Sequence, residues 1–418
     1  MRRLIYIFII GLLLCSYTWA DGSRYASKSL LSEGKWVKIR VDKTGIYKLS
    51  YADLKNMGFS DPSKVSVHGY GGWPLDEDFS KEYIDDVPST PVWRGSDYLL
   101  FYGKGSVKWE YDSSSQTFVH TNNPYCLYGY YFVTDATPTN DMTSVAQASG
   151  ASTRITTYDD YLLHEQELVS VNQSGREFFG EDFSGARPRT ISTFSSIPGI
   201  TDADGKVTMR FISRINSGSG TASLSINDSE LLDITIPSIQ TVSSNVRSYT
   251  KAIPGTTTAL WKGSKSEKNN VVVSYSSSGH TNVRLDYIRM QFVRTLRPYG
   301  ACTFFRSLTS VGNASRFVIS EANSNTLVFD VTDALNVKRV EADLNGSELS
   351  FTIPAGRLRE FVLVQTNQTF PSPEVVGEVA SSNLHGLEQR DMIIISAPSL
   401  VQQAERLAVA HREKDGLT

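Results

Sequence analysis

The segment Lys35-Trp36-Val37-Lys38-Ile39-Arg40-Val41 alternates polar and apolar side chains, which is the period of a strand with one buried face. After a Lys-Thr-Gly turn the alternation resumes in Gly45-Ile46-Tyr47-Lys48-Leu49, so the two runs predict a pair of strands. Ser50 followed by Asp53 has the spacing of a capping box, and Gly58 is a natural stop, which predicts a short helix over 51–57. Residues 65–70 read as a further strand broken by Gly71-Gly72, and 97–102, 107–111 and 128–133 read as strands too. Together these elements predict a β-rich amino-terminal domain over 25–140 with one short helix. Residues 138–153 are rich in Thr, Ser, Ala and Gly, lack periodicity and read as a linker.

Alternating segments return at 207–212, 222–226, 270–275 and 283–292, separated by Ser- and Gly-rich turns such as 217–220. They predict a β-sandwich over 155–295. Strand-like runs at 316–320, 325–331 and 359–365 make 297–385 either a small β domain or an extension of the sandwich, and the pattern leaves both open. The character then changes. Met392-Ile393-Ile394-Ile395 is an uninterrupted apolar run, as in a parallel strand covered on both faces. Pro398-Ser399 opens a helix that sets Leu400, Ala404, Leu407, Ala408 and His411 at helical spacing. One strand and one amphipathic helix cannot bury the faces their own patterns require, so 390–418 is expected to be the start of an α/β domain cut short at Thr418. The fold class expected is mainly β, ending in that first strand and helix.

Charge and composition act by exclusion. The 418 residues carry 41 Lys and Arg against 44 Asp and Glu, a net charge of −3, with no block of like charge, which argues against a nucleic-acid partner. Residues 1–20 read as a signal peptide, with Arg2 and Arg3 before the apolar run 4–14 and Ala20 at the cut point. That run is too short to span a bilayer, so the chain is expected to be exported and not membrane-spanning once the signal is removed. Cys15 would be lost with it. The remaining Cys126 and Cys302 exclude a disulfide framework and are expected as two separately buried thiols, with a single bridge left open.

Several segments, taken in order, resemble the amino-terminal region of the type IX secretion sortases of Bacteroidetes, the PorU-type family with a gingipain-type cysteine peptidase domain. They are 36–49, Val67-His68-Gly69-Tyr70-Gly71-Gly72, Asp97-Tyr98-Leu99-Leu100-Phe101-Tyr102-Gly103, Asn123-Pro124-Tyr125 with Tyr131-Phe132, Gly180-Glu181-Asp182-Phe183, Phe329-Asp330-Val331-Thr332-Asp333, Asp391 to Ser396 and Ala404 to Ala408. The resemblance implies a parent cysteine endopeptidase and transpeptidase that removes carboxy-terminal sorting domains from secreted proteins and attaches them to the cell surface. It implies location at the outer membrane surface, with an outer-membrane type IX secretion protein and the sorting domains as partners. In that family the nucleophilic Cys and its His lie deeper in the α/β domain, so no residue here inherits a catalytic role. The chain is expected to be inactive alone, with no cofactor and no metal.

The residues themselves offer weaker alternatives. A thiolate nucleophile needs a neighbouring His, and Cys126 follows His120 while Cys302 follows His280, yet neither sits in a recognisable nucleophile turn. A structural thiol is the simpler reading. His411 is expected to pack or to cap the last helix. The acidic clusters Asp76-Glu77-Asp78, Asp85-Asp86 and Asp202-Ala203-Asp204-Gly205 could bind Ca²⁺ or pair as glycosidase carboxylates, but turns and solvated surface explain them as well. The aromatic concentration from Trp73 through Trp93, Trp109 and Tyr125 to Phe132 supports an alternative function, an exported carbohydrate-binding or adhesion module, against ordinary strand packing. An enzyme complete within these residues would need Cys126, Cys302 or a carboxylate pair for its activity.

Overall fold

The structure is a computed structural model that describes residues 25–418 except 79, 82–83, 172–174, 186, 216, 240–251 and 278–280. The expected signal peptide, with Cys15, and His280 lie outside the described residues.

The alternating run 36–41 is a strand, Trp36–Val41, at the heart of a five-stranded antiparallel sheet. Its neighbours are Gly129–Thr134 on one side and Glu374–Val379 on the other, with Ser66–Gly71 and Ser89–Thr90 beyond Gly129–Thr134. The chain thus returns at residue 374 to complete the first sheet rather than to close the unit before it. Gly45–Ser50 does not hydrogen-bond to Trp36–Val41. It pairs with Tyr98–Gly103 in a three-stranded sheet stacked on the first. The helix Tyr51–Asn56 begins at a complete capping box between Ser50 and Asp53 and ends before Gly58, at φ +89°. Gly71, at φ +86°, lies at the irregularity that bends Ser66–Gly71, and a Cβ there would meet the Tyr131 hydroxyl at 2.6 Å.

The continuous apolar run Leu99-Leu100-Phe101-Tyr102 follows from the position of its strand, because both faces of the three-stranded sheet are covered. Leu99 and Phe101 join Tyr47, Leu49, Ile39 and Tyr131 in the first core. Leu100 and Tyr102 face the other way, with Ile46, into a second core against Phe329, Val362 and Val364. Those residues belong to a five-stranded sheet, in the order 144–145, 338–340, 326–330, 361–365, 302–305. Phe361 and Leu363 of the same strand point through that sheet into a third core, where Phe317 and Phe351 stack at 5.2 Å against Phe305 and Phe361. A four-stranded sheet, 153–155, 315–319, 348–353 and 343–345, closes it. Four sheets therefore stack in series around three cores. Residues 138–153 are not a free linker: Ser144–Val145 and Thr153–Ile155 add as parallel edge strands to the third and fourth sheets of this stack.

Beside the stack stands the sandwich expected over 155–295. Its sheets are 157–165, 281–295, 205–215, 253–261 and 189–190, 271–277, 219–226, 229–237, around Val207, Met209, Phe211, Leu224, Ile234, Val273 and Leu285. A two-stranded ribbon, Val107–Asp112 with Thr117–Asn122, reaches out of the first unit and lies on this sandwich. Gln291 exchanges hydrogen bonds with the Phe118 backbone at 2.9 and 3.1 Å, and Lys206 Nζ donates to Gln116 O at 2.7 Å. Trp109 stacks on Tyr161 at 4.0 Å.

The carboxy-terminal helix forms over Val401–Asp415 behind a 3₁₀ turn at Pro398–Leu400, with Arg412 and Lys414 in its last turn and Gly416 left-handed at its end. The strand expected at 392–395 does not form. No neighbouring strand among the described residues gives the run a ladder, and Ile393 and Ile395 are 80% and 94% exposed. Asp391 N donates to Thr418 O at 3.0 Å, so the two ends of this strand-and-helix unit lie side by side.

Candidate functional site

The stack, the sandwich and the ribbon meet around a cleft of about 810 Å³. The Asp42 to Thr44 turn and Trp73 come from the first unit, Lys108 and Trp109 from the ribbon, Tyr158 to Leu163 and Arg294 from the sandwich, and Tyr299, Cys302 and Arg306 from the third unit. The fold dictates this mixture, since no unit closes the cleft alone.

Its floor is a charge network. Arg306 is 1% exposed and grips Glu360 with both arms, Nε to Oε2 at 2.6 Å and Nη2 to Oε1. Its Nη1 donates to the Asp159 carbonyl at 2.9 Å and lies 3.6 Å from Asp160, which Arg294 holds from the other side at 2.8 Å. Burial works against the Arg306 charge, but Glu360, Tyr161 and Asp160 more than offset it and hold the guanidinium well above its ordinary value. The rings of Tyr161 and Tyr299 lie 4.3 Å from Arg306 and 3.7 Å from Arg294.

This arrangement binds better than it reacts. Burial raises the phenols of Tyr158 and Tyr161 and pushes the Cys302 thiol up to about 12, so these groups stay protonated near neutral pH. The carboxylates of Asp160 and Glu360 are each held by an arginine. What the cleft presents is fixed charge and flat rings.

Of the aromatic residues singled out in the sequence, Trp73 and Trp109 both line this cleft. Trp73 is held by Thr44 Oγ1 at 3.4 Å and by Lys104 Nζ at 4.9 Å from its ring. Trp93 instead packs on Tyr98 at 5.8 Å, Tyr125 is exposed elsewhere and Phe132 is half-buried. Cys126 and Cys302 are both free and partly buried. His120 and Cys126 make no hydrogen bond to each other: the imidazole faces Glu165 at 3.3 Å and the thiol donates to Tyr128 O. His411 pairs with Asp415 at 2.6 Å along its helix.

The acidic clusters serve as straps. Asp76 pairs with Lys81 and Glu77 with Arg176, Asp85 and Asp86 accept from the Ala26 and Leu30 backbone at 2.6 Å, and Asp202 accepts from Lys265 N at 2.8 Å. Among the described residues no group of three or more His, Cys, Asp or Glu is placed to hold a metal ion. Arg294, Arg306, Asp160 and Glu360 escaped the sequence reading because they come from distant segments with no common spacing, and only the folded chain assembles them.

Stacked β layers with a flanking sandwich define a mainly β, multi-sheet protein. Comparison with solved structures places it further. The chain matches the dimeric latent PorU of Porphyromonas gingivalis at 33% identity and a TM-score of 0.81, over 94% of this chain and 37% of that one. The chain belongs to the PorU-type family of type IX secretion, the family its ordered motifs resemble. It spans 37% of the length of that relative. The Cry4Aa toxin of Bacillus thuringiensis matches at only 11% identity over 50% of this chain and 35% of that one, with a TM-score of 0.16. No family model and no curated protein matches the chain. No helix among the described residues is long and apolar enough to cross a membrane.

Proposed function

We propose that this chain is the non-catalytic amino-terminal region of a type IX secretion sortase. In this reading its stacked sheets and sandwich form a scaffold at the outer membrane surface, which contacts an outer-membrane secretion partner and the incoming carboxy-terminal sorting domains. The whole protein would be a cysteine endopeptidase and transpeptidase that removes those domains and attaches its substrates to the cell surface. The observation that supports this is the agreement with PorU in both sequence and structure over nearly all of this chain. The cleft chemistry agrees with a non-catalytic role, because the Cys302 thiol that lines it is held protonated. The test incubates the purified chain with a purified sorting domain: the reading expects saturable binding without cleavage. Cleavage by this chain, or binding no tighter than to an unrelated β domain, would overturn it.

A second reading, an exported carbohydrate-binding or adhesion module, is favoured by one observation, the meeting of Trp73 and Trp109 in a single cleft. It expects measurable glycan affinity that is lost in Trp73→Ala or Trp109→Ala. Glycan binding that survives both replacements would remove it.

A further inference from the structure

A second groove, of about 480 Å³, runs between the base of the ribbon, the 123–127 loop and the sandwich residues Glu165, Glu167, Arg176 and Phe178. We propose that it binds a short extended peptide segment carrying a lysine or arginine side chain between apolar neighbours. The inference does not depend on the reading of the previous subsection.

The rim of the groove is apolar and open: Tyr125 and Leu127 are 77% and 67% exposed, and Phe178 is exposed beside them. Its polar wall carries acceptors in excess. Asn122 Nδ2 donates to Glu167 at 2.9 Å, which leaves Asn122 Oδ1 buried and without a partner. Glu165 faces His120 Nε2 at 3.3 Å, while His120 Nδ1 is also buried without a partner. Arg176 lines the groove but is engaged by Glu77 at 3.1 Å. Two carboxylates and an orphaned amide oxygen call for a donor-rich cation, and the exposed rings and Leu127 call for apolar side chains on either side of it. An anionic segment would meet like charge, and a purely apolar one would leave the acceptors unpaired.

Burial and the Glu165 charge push Glu167 up to about 7. A bound cation favours the ionised form, so occupancy should strengthen as pH rises through this value and should release a proton near it.

The test titrates the full chain into fluorescein-labelled acetyl-Leu-Arg-Leu-amide and into its citrulline counterpart, which has the same shape without the charge, and reads anisotropy. The arginine peptide should bind saturably, and the citrulline peptide about tenfold more weakly, the loss expected for a hydrogen bond to a charged group. Glu165→Gln with Glu167→Gln should cost a similar factor, and Leu127→Ser should weaken both peptides alike. Glu167 and Leu127 are exposed while Glu165 is largely buried against His120, so thermal melting checks that the variants fold. Equal binding of the two peptides, no saturable binding, or binding unchanged in the double glutamine variant would each overturn the proposal.

Discussion

Replacing Arg306 with methionine isolates the network under the cleft. Methionine keeps most of the side-chain length, so the change removes charge and donors more than volume. Asp160 would still be neutralised by Arg294 at 2.8 Å, whereas Glu360 would lose both arms of its partner and the Asp159 carbonyl its donor. Breaking a buried pair from one side costs about 3–5 kcal/mol. The Glu360 side chain is 27% exposed, so water takes up part of the orphaned charge, and the cost belongs near the lower end, about 3 kcal/mol. For a cooperative unit of this size that is a drop in Tm of about 6–12 °C. The assay is differential scanning calorimetry of the full chain, comparing Arg306→Met with the double variant Arg306→Met/Glu360→Leu, which removes the stranded charge and should lie within about 1 kcal/mol of the parent. A single variant within about 0.5 kcal/mol of the parent, or a double variant as unstable as the single one, would refute this account.

Lys104 is 3% exposed and lies 3.6 Å from the Tyr70 ring, and burial followed by the nearby Lys108 lowers its amine to about 7 despite Asp333. The unfolded chain then binds more protons between that value and the ordinary lysine range, so stability should rise with pH across this window. Lys104→Met should raise Tm by several degrees near neutral pH with the gain fading towards pH 10; a pH-independent gain would count against the argument. Cys302, with its thiol raised to about 12, should resist a thiol reagent in the native chain and react on unfolding, and rapid native-state labelling at this position would contradict the burial argument. Ser50→Ala, which removes the cap on Tyr51–Asn56, should cost about 1 kcal/mol by chemical denaturation, and an unchanged midpoint would show that tertiary contacts alone hold this helix.

Local chemistry was legible in the sequence where one neighbourhood decided it. The alternation at 36–41 and the Ser50–Asp53 pair specify their elements within a few residues, and both form. Legibility failed where an element depends on what lies across from it. Residues 253–261 contain Pro254 and Gly255, which weaken a strand reading, yet they form the edge strand of a sandwich sheet, where such residues are tolerated. Ser144–Val145 and Thr153–Ile155 gave no periodic signal because each is too short to show one. The run 392–395 misled in the opposite sense: its apolar character announces a covered strand, but covering requires neighbours that the described residues do not supply. The two tryptophans of the cleft were visible as residue types, but their meeting, and the carboxylate–arginine floor below them, belong to the tertiary fold.

The pairing of Trp36–Val41 with Glu374–Val379 fixes an order of events. Val37 lies opposite Glu378, so the first sheet stays one strand short until almost the whole described chain has been made available to it. During synthesis or passage through a membrane, Trp36–Val41 would present a bare hydrogen-bonding edge throughout the emergence of the sandwich and the third unit. The amino-terminal unit is therefore among the first parts to appear and among the last to be finished, and a chaperone that shields that edge would have its longest task there.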